Sequence, residues 1–468
     1  MTTTGSRIVV RTAIVVAAAG MWFVPPPAGL SVAAWRLFAL FAAAIASVVL
    51  NAFPILTASV LAVAAAVLTS LLPAEKAYSG FANGTILLIV LAFLVARSVI
   101  KCGLGTRIGH VMVSLFGRSA LGLSYSIFLV DGLIAPAFPS NTARSGVIYP
   151  MAFSLAEAAG ARPGVESRNR LGSFLMFSGI ASLSLSSALW LTAMAANPLG
   201  AEIARARGVQ IGFGSWLIAA SVPTLVGIVL MPLLLRWLIG PEQNSTPEAP
   251  AAARRALAAL GPLRRDEKIV LAVFVGMVAL WGSAATLGLD STAIAFLGFG
   301  LLLAFGVLTL EDVAKEGDVL ATFIWFAVLF TLSSELNELG FMGYLGQRLA
   351  ASLNGLSPLA AALVLIPAYV LLHYMFVSQT AHLLALFGVF LDVGIKLGVP
   401  ATPLAFQLLF ATNYFSAITP QGSSANLLFA SSGFLSQRDL YWLGGLSTAF
   451  SMVLYLVVGT PWLLLVTR

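Results

Sequence analysis

The sequence predicts an all-α polytopic membrane protein, with about eleven transmembrane helices and two re-entrant hairpins in inverted repeats. Three observations carry that prediction. Hydrophobic residues make up 59% of the 468 and charged residues only 9%, where soluble domains carry about 25% charged residues. Apolar runs long enough to cross a bilayer recur along the whole chain. Twice, 238 residues apart, such a run is interrupted by a short polar cluster in the same order: Ser140-Asn141-Thr142-Ala143-Arg144 and Ser378-Gln379-Thr380-Ala381-His382.

Residues 9–24, 31–50 and 54–72 read as plain spans with almost no polar interior, which suits scaffold and lipid-facing packing. Pro25-Pro26-Pro27 reads as a loop and no small-residue cleavage site follows it, so the first helix is expected to be retained. A fourth span, 84–100, runs into Arg97, Lys101 and Arg107, cations placed to snorkel to headgroups as the helix bends onto the interface. The first hairpin covers 119–155. There Pro139 and Gly146 bracket the polar cluster and break the helix. Non-helical backbone at membrane depth is tolerated only where protein buries it or a polar cavity solvates it. Residues 174–197 hold Ser178, Ser182, Ser184, Ser186, Ser187 and Thr192 and end at Asn197-Pro198, the marks of a helix broken at mid-depth.

A span near 215–235 follows, and Pro241, Pro247 and Pro250 then mark 240–266 as a cytoplasmic linker. Spans near 269–286, 291–310 and 319–335 lead to the second hairpin, 356–395, and to a second broken helix. In that helix Thr419-Pro420 and Gly422 stop one segment, and Ser423-Ser424 are placed to cap the next. The last span is 441–466. Counting crossings sends the first hairpin in from the cytoplasm and the second from outside, so both tips are expected near mid-bilayer.

The net charge of +7 would suit nucleic acid, but its distribution argues otherwise. With the N-terminus inside, and Arg36 and Arg144 within spans, the remaining Lys and Arg divide seventeen to six in favour of the inner side. This is the positive-inside asymmetry. It places the N-terminus in the cytoplasm and the C-terminus outside a cell (inner) membrane, with no nucleic-acid partner. Cys102 is the single cysteine, so no intrachain disulfide forms. His110, His373 and His382 have no zinc spacing, and no cofactor or metal is expected.

Ser, Thr, Asn and Gln at the tips supply donors, and broken helices supply positive N-termini with free N–H groups. Neither tip contains an acid, so the pattern points to an anion. The candidate contacts are Ser140, Asn141, Thr142, Arg144, Ser378, Gln379, Thr380 and His382, with Thr192, Thr419, Ser423 and Ser424 from the broken helices. Ser378 and His382 lie one helical turn apart, as a nucleophile and base would. The first tip matches them with Ser140 and Arg144, which favours binding over catalysis.

Pro139-Ser140-Asn141-Thr142-Ala143-Arg144-Ser145-Gly146, the second tip and the Thr419-Pro420-Gln421-Gly422 break closely resemble the divalent anion/sodium symporter family over nearly the whole chain. The resemblance implies a homodimer working as an elevator. Segments 1–118 and 267–355 would form the scaffold. The moving part would be 119–239 (hairpin 119–155, broken helix 170–204, span 215–239) and 356–468 (hairpin 356–395, broken helix 401–435, span 441–466), joined by 240–266. It also implies a di- or tricarboxylate substrate of the succinate, malate, tartrate, citrate or 2-oxoglutarate class. In sodium-coupled members the metal would fall to Asn141, Ser140, Ser378 and Thr380.

Two departures stand out. Gln379 replaces the Asn of the sodium-coupled members, and Arg144 and His382 occupy matched places four residues after each serine. Like charges about 4 Å apart repel by roughly 4 kcal/mol at a protein-like effective dielectric, so sodium-independent antiport is expected, with sodium-coupled symport the alternative. An empty carrier would carry Arg144 and a protonated His382 uncompensated past an apolar scaffold, and a bound dicarboxylate would neutralise them. Plainer readings are that Arg144 pairs with Asp131, that His382 and His373 only pack, and that the serines join helices. Asp131 and Asp392 stand open between structural partner and gating group.

Overall fold

The computed structural model describes residues 4–50, 52–164, 170–353 and 355–467; Arg168 and Arg468, counted above for orientation, lie outside them. Every regular element among the described residues is helical. Among the described residues, ten helices are long and apolar enough to cross a membrane, with shorter apolar helices at Ile8–Phe23, Ile55–Leu68 and Ser291–Ala304. Large side chains such as Phe23, Leu68, Trp237 and Leu310 stand exposed, a surface that lipid rather than water would cover. The chain divides into two compact units.

The first unit comprises Met1–Val90, Leu199–Gln210 and Lys315–Leu408. Ser31 starts the helix Val32–Val49 by accepting the Ala34 N–H at 3.1 Å. Helix Gly317–Glu338 packs on this helix and on Ile55–Leu68. Its close approach to Gly80 requires glycine, because a Cβ there would lie 2.2 Å from the Ala327 carbonyl oxygen. The second hairpin begins with Ser357 capping Pro358–Leu372; Pro358 sits in the first turn, where its missing N–H costs nothing. A 3₁₀ turn, His373–Met375, leads into the extended tip. Helix then resumes as Gln379–His382, one π-helical turn Leu383–Phe387, and Gly388–Lys396.

The second unit comprises Leu91–Pro198, Ile211–Ala314 and Leu409–Arg468. Ser119 caps the first arm of the first hairpin, Ala120–Ile134, and the chain turns through Ala135–Ala137 to return as Asn141–Ala158. Both arms pack on Arg170–Leu189, whose apolar window is 94% buried. The linker holds a helix of its own, Glu248–Leu260. Pro247 is its N-cap and Pro250 lies in its first turn, positions where proline breaks nothing. Thr246 fastens the linker by donating its N–H to the Arg118 carbonyl (3.0 Å) and its hydroxyl to the Gly117 carbonyl (2.8 Å). Arg107 holds the far end through Glu267 (2.7 Å) and the Gly261 carbonyl (2.8 Å).

Candidate functional site

In the first tip Ser140 is extended (φ −149°, ψ 126°), and its hydroxyl accepts the Ala143 N–H at 3.3 Å. That bond satisfies one of the free donors at the start of Asn141–Ala158. Arg144 follows one turn later, so its side chain shares a face with Ser140 and points back toward the tip. The guanidinium is wholly buried. Its Nη1 lies 3.2 Å from Asp131 Oδ1 and donates to Ser186 Oγ at 2.7 Å. Its Nη2 donates to Asn141 Oδ1 (2.6 Å), to the Leu183 carbonyl (3.3 Å) and to Ser187 Oγ. The Ser186 hydroxyl donates to Asp131, and the Ser187 hydroxyl to Asn141 Oδ1 at 2.6 Å. Hydrogen bonds of this kind offset part of the desolvation cost of a buried ion pair.

The expectation that an empty carrier leaves Arg144 uncompensated is therefore not met, because Asp131 supplies the opposite charge. Arg144 Nε and Asp131 Oδ1 are buried without a hydrogen-bond partner among the described residues. Thr142 is exposed, and its carbonyl accepts the Ser145 hydroxyl at 2.7 Å.

The second tip repeats the first in backbone. Ser378 is extended (φ −143°, ψ 124°) and accepts the Ala381 N–H at 3.3 Å. The N–H groups of Arg144 and His382 bond back to the carbonyls of Ser140 and Ser378 at 3.1 and 3.0 Å. Gln379 and Thr380 are buried. The charge chemistry differs. His382 is wholly buried, its Nδ1 is 3.3 Å from His373 Nδ1, and the rings of Tyr369 and Phe376 pack on it at 4.4 and 4.8 Å. His373, read from the sequence as packing, is thus bonded to the tip base.

Both helix breaks are closed by one device. Asn197 Nδ2 donates to the carbonyls of Ser187 (2.9 Å) and Trp190 (3.2 Å), ten and seven residues back. Asn426 Nδ2 donates to those of Ser416 (2.7 Å) and Thr419 (3.0 Å), again ten and seven residues back. Each amide takes up carbonyls orphaned where the helix ends. Asn413 Nδ2 donates to Asn197 Oδ1 at 2.8 Å and Ser184 meets Ser416 at 2.8 Å, which ties the two breaks together.

Thr192 belongs to this lacing, since its hydroxyl donates to the Pro136 carbonyl at 2.9 Å. Ser423 is buried at the head of Ser424–Ala430, while Ser424 itself is exposed. The Thr419 hydroxyl is buried with no hydrogen-bond partner among the described residues.

Sequence reasoning missed Asn197, Asn426 and Arg207. The Ser-to-Asn interval of ten at both breaks was the available signal for the first two. Arg207 grips Asp392 with two bonds (2.8 and 3.0 Å) and donates to Asn337 Oδ1 at 3.0 Å. It borders a polar cavity of about 230 Å³ within the first unit, shared with Ser79, Asn83, Glu202 and Ser333. Asp392 is thereby paired with Arg207.

Residues 5–467 match the family model described as the sodium:sulfate symporter transmembrane region. The chain is 38% identical over 444 residues to a putative malate transporter, YflS, of Bacillus subtilis (strain 168), covering 94% of this chain and 93% of that one. It is 39% identical over 444 residues to the chloroplastic dicarboxylate transporter 2 of Spinacia oleracea, covering 94% and 79%. Among solved structures, the Alcanivorax borkumensis YdaH transporter aligns with a TM-score of 0.56 at 17% identity, over 83% of this chain and 87% of that one, a likeness of fold alone.

Proposed function

The chain belongs to the sodium:sulfate, or divalent anion/sodium, symporter family, and from that premise we propose that it exchanges di- or tricarboxylates across a cell membrane without coupling to sodium. It is a multi-pass membrane transporter rather than an enzyme. The relatives named as malate and dicarboxylate transporters support the substrate class. The tips support it chemically. Each opens a helix at its positive end, each carries hydroxyl and amide donors, and neither contains an acid. Malate, succinate, tartrate, citrate and 2-oxoglutarate remain within the proposal, as do a homodimeric elevator with an inner N-terminus and substrate contacts at Ser140, Asn141, Thr142, Ser378, Gln379, Thr380 and His382.

The observation that carries sodium independence is the seat of Arg144. The amide oxygen of Asn141, the hydroxyls of Ser186 and Ser187, the Leu183 carbonyl and the Asp131 carboxylate all converge on its guanidinium. Oxygens of this kind ligate hard cations, and here a cation fixed to the chain already takes them. Sodium would need to displace a bidentate, always-charged group.

Counterflow tests the reading. Proteoliposomes loaded with unlabelled malate should take up labelled malate equally with sodium or choline outside, and lose the uptake when the interior holds no dicarboxylate. Uptake that requires sodium, or that proceeds without an internal counter-substrate, overturns it.

A further inference from the structure

We propose that an apolar groove under the linker helix binds one acyl chain of an anionic glycerophospholipid, whose phosphate is drawn there by Arg254 and Arg255. The groove lies within the second unit and has a volume of about 550 Å³, in the range of sites that enclose small ligands. Three helices wall it. Leu104–Phe116 contributes Gly105, Gly109 and Val113, and Asn141–Ala158 contributes Gly146, Pro150 and Met151. The linker helix Glu248–Leu260 contributes Ala249, Ala252, Ala253 and Ala256, a spacing that puts the four methyls on one helix face.

The chemistry of the walls selects the occupant. Among the described residues, Thr106, His110 and Ser154 are the polar side chains that line the groove. A peptide would bring a backbone donor and acceptor with every residue, more than three side chains can meet. A hydrocarbon chain brings none. The approach is apolar as well. Ile100 in the wall is exposed, as are Phe116, three residues past Val113, and Leu260, four residues past Ala256. Two of the walls therefore continue, on the same helix faces, into surface of the kind that lipid covers.

The linker supplies the charge. Arg254 and Arg255 are exposed, and their guanidinium groups make no ion pair or hydrogen bond among the described residues. Arg107, by contrast, is committed to Glu267 and the Gly261 carbonyl. An arginine lays its methylenes along apolar surface and carries its charge to the headgroups. Arg255 flanks the alanine face, and Arg254 adds to the attraction for an anionic lipid. Gly146 in the wall is two residues past Arg144, so the occupant rests on the helix that carries the first tip.

Native mass spectrometry of the full chain, stripped of lipid in detergent, tests the site with phosphatidylglycerol and phosphatidylcholine as probes. The wild type should bind one phosphatidylglycerol per chain about tenfold or more tighter than phosphatidylcholine, and phosphatidylglycerol should raise its melting temperature. Glycerol 3-phosphate, the phosphate without chains, should do neither. Arg254→Gln combined with Arg255→Gln should erase the preference and leave phosphatidylcholine binding unchanged. Ala252→Phe fills the groove from the linker and should expel the lipid. Gly146→Leu fills it from the opposite wall, where a Cβ meets nothing within 4 Å, and should do the same. Ala258→Phe, exposed on the far face of the linker helix, should bind as the wild type does. A wild type that binds both lipids alike overturns the proposal without recourse to any variant. Lipid kept at wild-type affinity by either groove-filling variant shows annular lipid only and overturns it, and so does stabilisation by glycerol 3-phosphate alone.

Discussion

Asp131 and Arg144 offer the sharpest test of what holds the first tip together. Their charged atoms are 3.2 Å apart at zero exposure, where two unit charges attract by about 5 kcal/mol at an effective dielectric of about 20. Removing one partner strands the other charge, which costs about 3–5 kcal/mol in buried pairs. Asp131→Asn and Arg144→Gln should each lose that much. The double variant leaves no charge behind and should cost no more than either single variant, giving a coupling of about 3–5 kcal/mol in a double-mutant cycle. Ligand-free unfolding in detergent, followed by tryptophan fluorescence, measures the cycle. Asp131→Asn carries a second signature: malate should protect it more than it protects the wild type, because an anion then supplies Arg144's missing counter-charge. Additive single costs would refute the coupling, and equal protection by malate would place Arg144 away from the substrate.

Four further outcomes follow from the same geometry. In Gly388→Ala the new Cβ would lie 2.7 Å from Arg207 Nη2 and push the guanidinium off Asp392; the cost should be about 1–3 kcal/mol, and adding Arg207→Met should add little further loss in the same unfolding assay. Asn197→Ala and Asn426→Ala each strip two buried carbonyls of their donor and should each cost about 1–3 kcal/mol, a near-equality that thermal denaturation checks. His382→Arg buries a cation beside His373 and should abolish exchange, as counterflow in proteoliposomes reads it. Outside the spans, the Lys101 ammonium at 2.6 Å and the hydroxyl and N–H of Thr309 hold the Asp312 carboxyl well below the usual carboxylate range. A group depressed in the folded state stabilises above its unfolded value near 3.9 and loses that contribution only as pH falls through the folded value. The effect of Lys101→Met should thus be flat from about pH 8 to 5 and vanish only below about pH 4, as read from pH-dependent melting.

What the sequence made legible was local. A serine accepting an N–H three residues on needs only its own neighbours, and Ser140, Ser378, Ser119 and Ser357 each start a helix in this way; the serines that the sequence names as caps are Ser423 and Ser424, and Ser423 heads Ser424–Ala430 without a side-chain cap bond. Composition and span length likewise made the all-helical membrane class plain. Partner choice was less legible, because it depends on which elements pack. Nothing along the chain says that Arg207 reaches Asp392, 185 residues away. Nor does it say that the hydroxyls serving Arg144 are Ser186 and Ser187 rather than other serines of the same helix. His373 and His382 are nine residues apart, off the three- and four-residue spacings of a helix face, and only the turn through Phe376 and Ser378 brings the rings together. In the linker, Pro247 and Pro250 read as breakers because position within a helix decides what proline does. Pro247 caps Glu248–Leu260 and Pro250 lies in its first turn, where the alanines that follow favour the helix.

The repeat separates two kinds of information. Backbone devices are duplicated: the capping serine, the bond from the base's N–H to the serine carbonyl, and the asparagine that closes each break at intervals of ten and seven. These depend on helix geometry, which inversion of a repeat leaves intact. Charge devices are not duplicated. The base of the first tip is balanced by an acid on its own incoming arm, and the base of the second by another base. An acid partner makes a pair whose charge state is the same whether or not substrate is present. A carrier with two ion pairs would offer an anion nothing but hydrogen bonds, and one with two lone cations would bury charge whenever it was empty. One ion pair and one pair of bases differ from both, so the asymmetry between Arg144 and His382 is where the proposed preference of this chain for doubly negative guests is expected to originate.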